Sequence, residues 1–523
     1  MENSIQGFRL SPHQRQIWLL QTGAGPFCAQ CALELRGSLD PDRLRRAFEE
    51  VVARHEILRT TFRRAPGVKI PIQVVAENGS IDWRREGASD AAADGEEGLT
   101  ALLEEERREP FDLEDGPLLR ARLVGGDDRS LLLVTASALC ADSRTLGHLV
   151  REAAQVYAGG SELEDPEELV QYVQFSEWQN ELADEPEMAQ AQEWGRRFTE
   201  IPEPWLAFET NRSSERDLPS DSLAFEVDPE LAEGLSALAE SSGVELGEVL
   251  LGAWQTLLWR LTGTTEVLTA CCFAGRSYEE LEGALGPFSK YLPVACRIDR
   301  RDTFTQVLER VGRAVGEGRQ WQDYYHPEAE GDLRERGIYG VGFDFEVLPE
   351  ALRSNGLSLA FLSRSALIHP LKLQLACSLD GSSLRAALSF DPRRFRREDV
   401  AGIAEQFRLL LSRILDDPQA SVGGLDILTE REYRDLVVSF NDTARDLPES
   451  CLHELFARQV KATPDNVAVQ IGDEELTYAE LDRRSNRLAH RLRGLGVGPE
   501  VVVAVCMERS PELVAALLAV LKA

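Results

Sequence analysis

The densest set of side chains that could do chemistry lies in the stretch Leu131 to Val150, LLLVTASALCADSRTLGHLV. Ser137, Cys140, Asp142 and Ser143 fall where an apolar run stops and a helical spacing starts. A side chain at the end of a core strand, beside a helix N-terminus, is held rigidly at an edge where ligands commonly sit. Cys140 could act as a nucleophile only with a lowered pKa and a neighbouring base. Other candidates carry less. Cys28 and Cys31 form a lone C-x-x-C without the second pair or histidines of a zinc site, so core packing is expected, as for Cys271 and Cys272. His55 follows a helix and is expected to be a hydrogen-bonded structural histidine. Gly263-Thr264-Thr265 lacks the following Gly-Lys-Ser/Thr of a phosphate loop, and Ala457 stands where a zinc-protease motif begun at His453-Glu454 needs its second histidine.

The elements that must hold these residues are legible from periodicity. Leu131 to Val134 suit a buried strand, and Leu146, Leu149, Val150, Ala153 and Tyr157 recur at three and four residues as one helix face. Asp142 or Ser143 should cap that helix. Ser11-Pro12 opens an earlier helix, with Gln14 and Trp18 on one side. Asp40-Pro41 caps another, whose Leu44, Ala47, Phe48, Val51 and Val52 share a face. Residues 85–108 read as an acidic, solvated loop and helix. Asp228-Pro229 starts a helix, and Glu245 to Leu261 is apolar nearly all round, as a buried helix is. Leu371 to Cys377 and Leu384 to Phe390 alternate about Asp380-Gly381 and form a hairpin. Glu398 to Leu415 is an amphipathic closing helix. Prolines at 202, 204 and 219 mark a crossover over 201–221, and Pro418, Gly423-Gly424, Asn441-Asp442 and Pro448 mark a linker. The expected divisions are 1–200, 201–221, 222–415, 416–449 and 450–523.

With 523 residues the chain can bury two to four cores. Its 43% hydrophobic and 28% charged residues are those of a soluble globular protein. A net charge of −32 excludes nucleic acid as a partner, because phosphates would be repelled. Nine unevenly spaced cysteines fit reduced thiols. No signal peptide opens the chain and no apolar run spans a bilayer, so a cytoplasmic protein is expected, with no membrane and no metal.

Several blocks in order give the chain a likeness. Leu10 to Trp18 and, above all, Arg54-His55-Glu56-Ile57-Leu58-Arg59-Thr60-Thr61-Phe62 match blocks of one family, the last at every fixed position, and Gly340 to Glu346 sits where that family has a strand. Tyr172 to Gln179 matches with Gln174 for an acid. Gly286 to Val294 matches with Lys290 for asparagine, and Trp321-Gln322-Asp323 with tryptophan for histidine. On these blocks the chain resembles the condensation-domain superfamily of nonribosomal peptide synthetases. Leu476 to Leu481, the helix Asp482 to Leu495 and Glu512 to Ala523 resemble the start of an adenylation (AMP-binding) domain. The phosphate loop and catalytic lysine region are not included, so adenylation activity is not expected.

The resemblance implies an α/β fold of two chloramphenicol acetyltransferase-like lobes in a V-shaped pseudodimer, then a linker and an adenylation-domain fragment. It implies a tunnel in which two 4'-phosphopantetheine thioesters, delivered by partner carrier domains, are joined as an amide. The chain itself would bind no cofactor. Only a few residues precede the first block, so the upstream carrier is expected in trans. The rest of the adenylation domain, its carrier and a tailoring enzyme are further expected partners. The family's His-His-x-x-x-Asp-Gly motif falls on Ser137 to Ser143, so both histidines are missing and Asp142 is kept. Asp142 is expected to be structural, paired with Arg59 or, second, Arg54. Cys140, Ser143, Lys290, Tyr291, Phe343 and Phe345 are candidates for the tunnel lining. Ala138 cannot supply the general-base help typically worth ~10²–10⁴-fold, and Ser137 is too weakly basic to replace it. Three functions follow: a noncatalytic platform for carriers or a tailoring enzyme, amide formation by an altered mechanism, or heterocyclisation, for which Ser137 stands in place of the first aspartate. An imidazole from His326 or His369 beside Ala138 would restore the missing base.

Overall fold

Alternating apolar residues build two six-stranded sheets among the described residues. A computed structural model describes residues 7–21, 27–64, 67–87, 95–125, 129–159, 169–182, 185–210, 221–326, 340–354, 356–446 and 449–523. The expected crossover around Pro219, part of the acidic loop before residue 95 and the linker proline Pro448 fall outside these residues.

Along the chain come α1 (Pro12–Gln21), β1 (Cys28–Gly37), α2 (Pro41–Arg54), β2 (Thr60–Arg63), β3 (Ile72–Val75), β4 (Asp82–Glu86), α3 (Gly95–Arg108), β5 (Leu119–Gly125), β6 (Arg129–Ser137), α4 (Ser143–Ala158), α5 (Tyr172–Glu181) and α6 (Pro186–Arg196). Then follow β7 (Asp221–Glu226), α7 (Pro229–Ser242), α8 (Leu246–Thr262), β8 (Glu266–Phe273), β9 (Lys290–Arg297), α9 (Phe304–Trp321), β10 (Val341–Val347), β11 (Leu352–Ser354), β12 (Leu357–Leu367), β13 (Leu373–Asp380), β14 (Ser383–Phe390) and α10 (Arg397–Asp416).

The first sheet runs β11-β12-β1-β6-β5-β4. Its centre is the antiparallel pair β1 and β6, in register from Cys28 opposite Ser137 to Arg36 opposite Arg129. Nearly every side chain of the two strands is buried, and Leu131 to Val134 of β6 form an unbroken apolar run. α2 and α4 cover one face with Leu44, Phe48 and Val51 against Leu146, Leu149 and Val150. Each helix starts at its expected cap, Asp40 accepting from Arg43 N at 3.0 Å and Asp142 from Thr145 N at 2.7 Å. The second sheet runs β7-β14-β13-β10-β8-β9. Its hairpin β13–β14 turns at Gly381, whose φ of +58° suits a residue without a Cβ. α8 lies buried almost all round, with Trp254 edge-on to Phe407 of α10 at 6.1 Å.

One boundary differs from expectation. The sequence places residues 222–415 wholly in the second lobe, yet β11 and β12 pair into the first sheet, Cys28 lying opposite Leu367 and Gly37 opposite Leu357. β12 alternates buried and half-buried residues from Leu357 to Leu362, and it covers an edge of β1 that would otherwise be open.

Residues 1–432 form one compact unit and 433–523 another. The second contains α11 (Leu452–Ala462), the pair β15 (Val467–Ile471) and β16 (Glu474–Thr477), α12 (Tyr478–Gly494) and α13 (Pro511–Lys522). Its small core is Leu476, Leu481 and Ala515, beside Lys522, which donates to Asp482 at 2.7 Å. Among the described residues no helix is long and apolar enough to cross a membrane, and no cluster of three metal-ligating side chains occurs.

Candidate functional site

The turn after β6 is pinned from three directions. Ser137 N donates to Leu118 O at 3.0 Å, Ala138 N to Phe27 O at 3.0 Å, and the Gln14 amide of α1 to Leu139 O at 2.9 Å. Cys140 N and Ala141 N close the turn on Ser137 O at 2.8 and 3.1 Å. Ser137 is 1% exposed, Ala138 0% and Cys140 1%. Burial pushes the Cys140 thiol far above its ordinary range, so it supplies no thiolate. Ala138 has no exposed surface and no group that could take a proton.

Asp142 is held in a different way from that expected. Its partner is Arg276 of the second lobe, with Nη1 at 2.9 Å from Oδ2, and not Arg59 or Arg54. Arg59 lies 3.8 Å from Glu56 and donates to Ala76 O. Arg54 lies 3.7 Å from Glu152, the same carboxylate that holds His55 Nε2 at 2.9 Å in a structural role. Asp142 Oδ2 also accepts from Phe288 N at 3.0 Å, Ser289 N at 2.8 Å and Ser289 Oγ at 2.9 Å. Burial alone would raise this carboxyl; the Arg276 charge and the hydrogen bonds outweigh it and hold the group well below the usual carboxylate range. Thr145 reinforces the junction, its hydroxyl donating to Gly286 O at 2.6 Å and accepting from Arg276 Nη2 at 2.8 Å. Gly286, at φ +155°, must be glycine here, because a Cβ would stand 2.1 Å from the Tyr172 ring. Sequence reasoning misses Arg276 and Thr145; the nearest signal is the block starting at Gly286.

The remaining candidates separate into two groups. Phe343 and Phe345 line a cavity of about 290 Å³ with Arg144, Arg276, Cys271 and Cys272. Arg144, Glu245 and Phe345 also border a second cavity of about 420 Å³, walled further by His148, Arg151, Glu346 and Arg364. Cys140, Ser143, Lys290 and Tyr291 border neither of these two cavities. Ser143 is buried in the first turn of α4. The buried Tyr291 hydroxyl accepts from the Gln374 amide at 2.6 Å. Lys290 donates to Gln322 O at the C-terminal end of α9, and burial pushes its amine down to about 8, with Asp323 opposing.

Two imidazoles accompany Lys290. Burial, then the Lys290 charge, pushes His13 of α1 down to about 3, and His326 is driven well below its ordinary value by the same causes in the same order. Both are neutral and poor proton acceptors near pH 7. His369 packs edge-on to the Tyr291 ring at 6.1 Å. The turn therefore joins the lobes and flanks a cavity through Arg144 and Arg276, but presents no base or nucleophile to it.

Residues 5–437 match the family described as the condensation domain, and residues 456–523 match the AMP-binding enzyme family. Tyrocidine synthase 3 of Brevibacillus parabrevis is 29% identical over 99% of this chain and 8% of its own length. Chondramide synthase cmdD of Chondromyces crocatus is 32% identical over 98% of this chain and 14% of its own. The chain thus spans about a tenth of the length of such relatives. The X-domain from teicoplanin biosynthesis, solved in complex with OxyB, superposes with a TM-score of 0.66 at 25% identity, covering 81% of this chain and 97% of that one. The first condensation domain of the calcium-dependent antibiotic synthetase superposes at 0.71 and 19% identity, covering 82% of this chain and all of that one.

Proposed function

Because this chain belongs to the condensation-domain family, with the start of an AMP-binding domain behind it, we propose that it acts as a noncatalytic platform in peptide natural-product assembly. It receives carrier domains and their phosphopantetheine-bound acyl groups, or a second biosynthetic protein, without joining two thioesters. The observation that carries this reading is the motif turn itself. Ser137 and Ala138 occupy the histidine positions, both are enclosed, and Asp142 is spent on Arg276. Scaffold is kept and proton-handling groups are not. The X-domain structure supports a docking role, since that domain was solved with another protein bound to it.

A second reading has one observation in its favour. The cavity of about 290 Å³ lies beside Arg144 and Arg276, so two substrates held there could react by positioning alone, which can supply up to ~7–11 kcal/mol. The deciding experiment incubates the chain with two loaded carrier domains and follows amide product by mass spectrometry. The platform reading expects the carriers to be retained on the immobilised chain and product to stay at the level of a protein-free control. Amide that scales with chain concentration would replace it with the second reading.

A further inference from the structure

The two cavities that share Arg144 carry an unbalanced set of charges. Five arginines stand on their walls against three glutamates. Arg319 is matched by Glu245 at 2.8 Å and Glu248 at 3.3 Å, Arg364 by Glu346 at 2.9 Å, and Arg276 by Asp142 from the turn. That leaves two. Arg151 donates to His148 Nδ1 at 3.2 Å, an imidazole that burial and the nearby arginines push down to about 4 and hence keep neutral. The guanidinium of Arg144 has no hydrogen bond or ion pair among the described residues, although Asp344 and Glu346 lie within its electrostatic reach. Burial raises both of those carboxyls, Glu346 to about 7, so they offset the cations only in part near neutral pH. Phe343, Phe345, Leu251 and Val315 provide apolar wall around this surplus positive charge. The exterior of the chain is acidic overall, at −32, so a cationic recess in it focuses the field on an anion that enters.

We propose that these two neighbouring cavities, which share Arg144 and Phe345 in their walls, select an acyl group ending in a carboxylate, with Arg144 and Arg151 as the groups that bind it and the phenylalanines holding its aliphatic part. This rests on carrier-borne acyl groups being presented at the turn, and it holds whether or not an amide is then formed. A phosphate would satisfy the same cations. The carboxylate is favoured because Arg144 follows the motif turn directly, where the acyl end of an arm arrives and its phosphate is a whole arm's length away.

The test uses stable amide-linked analogues: aminopantetheine carrying a glutaryl or a glutaramoyl group, each with and without the terminal phosphate. Binding of the four probes to the full chain is measured by calorimetry. The glutaryl probes should bind about tenfold more tightly than the glutaramoyl probes, with or without phosphate, as one charge-assisted pair gives. Arg144→Gln should bring that ratio close to one, and Arg151→Gln should reduce it. Because Arg144 is exposed, its variant should keep the wild-type circular dichroism spectrum and melting point. Equal binding of the two acyl ends, a ratio that survives in Arg144→Gln, or an affinity set by the phosphate alone would each overturn the inference. Failure of the platform reading would appear separately, as amide product in the two-carrier assay.

Discussion

At the level of single residues, replacement alone does not reveal what a site has become; the partner of each retained residue decides. Asp142 was legible as a helix cap, and it caps α4. Its arginine was not legible, because Arg276 lies 134 residues away and belongs to no periodic pattern. Lys290 was legible as a departure from the family block, but not as an amine buried against a helix C-terminus. That burial is testable. From an ordinary 10.5 its amine falls to about 8, so the unfolded chain binds more protons between those pH values. Stability then rises with pH through that window, and below it the buried charge costs about 3 kcal/mol, an order-of-magnitude figure from the shift. Lys290→Met removes the group. Urea unfolding at a series of pH values should show wild type gaining on Lys290→Met by about 2 kcal/mol between pH 7.5 and 9.5. A difference between the two proteins that stays flat across that range would mean the amine is solvated.

Among the elements, those with strong local signals lie where the sequence puts them: α2 and α4 with their aspartate caps, the hairpin about Gly381, and the buried α8. What the sequence could not show was pairing between distant strands. β12 alternates like any half-buried strand, and nothing in its own residues says that it joins β1 across more than three hundred positions. The cavity walls were hidden for the same reason, since α4, α8, β8, β10 and β12 each contribute only one or a few residues to them. The long-range pairing predicts how the chain can be cut. Residues 1–221 alone would leave β1 with an unpaired edge carrying Cys31, Leu33 and Leu35, a template for aggregation. Residues 1–432 keep β12 in place. Expressed separately, the shorter piece should be aggregated by light scattering, and the longer one monodisperse with cooperative unfolding. A soluble, cooperatively folded 1–221 would show that β12 is dispensable to the first sheet.

Within residues 1–432, the features that tie the lobes together include β12, which is covalently part of one half and hydrogen-bonded into the other, and the Asp142 junction. The second is buried and charged, with Arg276 at 4% side-chain exposure and Asp142 at 0%. A buried pair is weak evidence for net stability, because desolvation offsets attraction, yet one member left alone typically costs 3–5 kcal/mol, roughly. Arg276→Met therefore should destabilise by about 3–5 kcal/mol and Asp142→Asn by a similar amount. The double variant should cost less than their sum by about 1–3 kcal/mol, since neither charge is then stranded. The junction's place adds a second expectation. Wild-type 1–432 should unfold in urea with coincident tryptophan fluorescence and far-ultraviolet dichroism, and Arg276→Met should separate the two curves as the lobes come apart before either melts. Additive costs, or curves that stay coincident in Arg276→Met, would assign the pair to local support of the turn. Coupling with separated curves would explain why this enclosed turn carries a buried aspartate: it is what holds two lobes at the spacing a cavity between them requires.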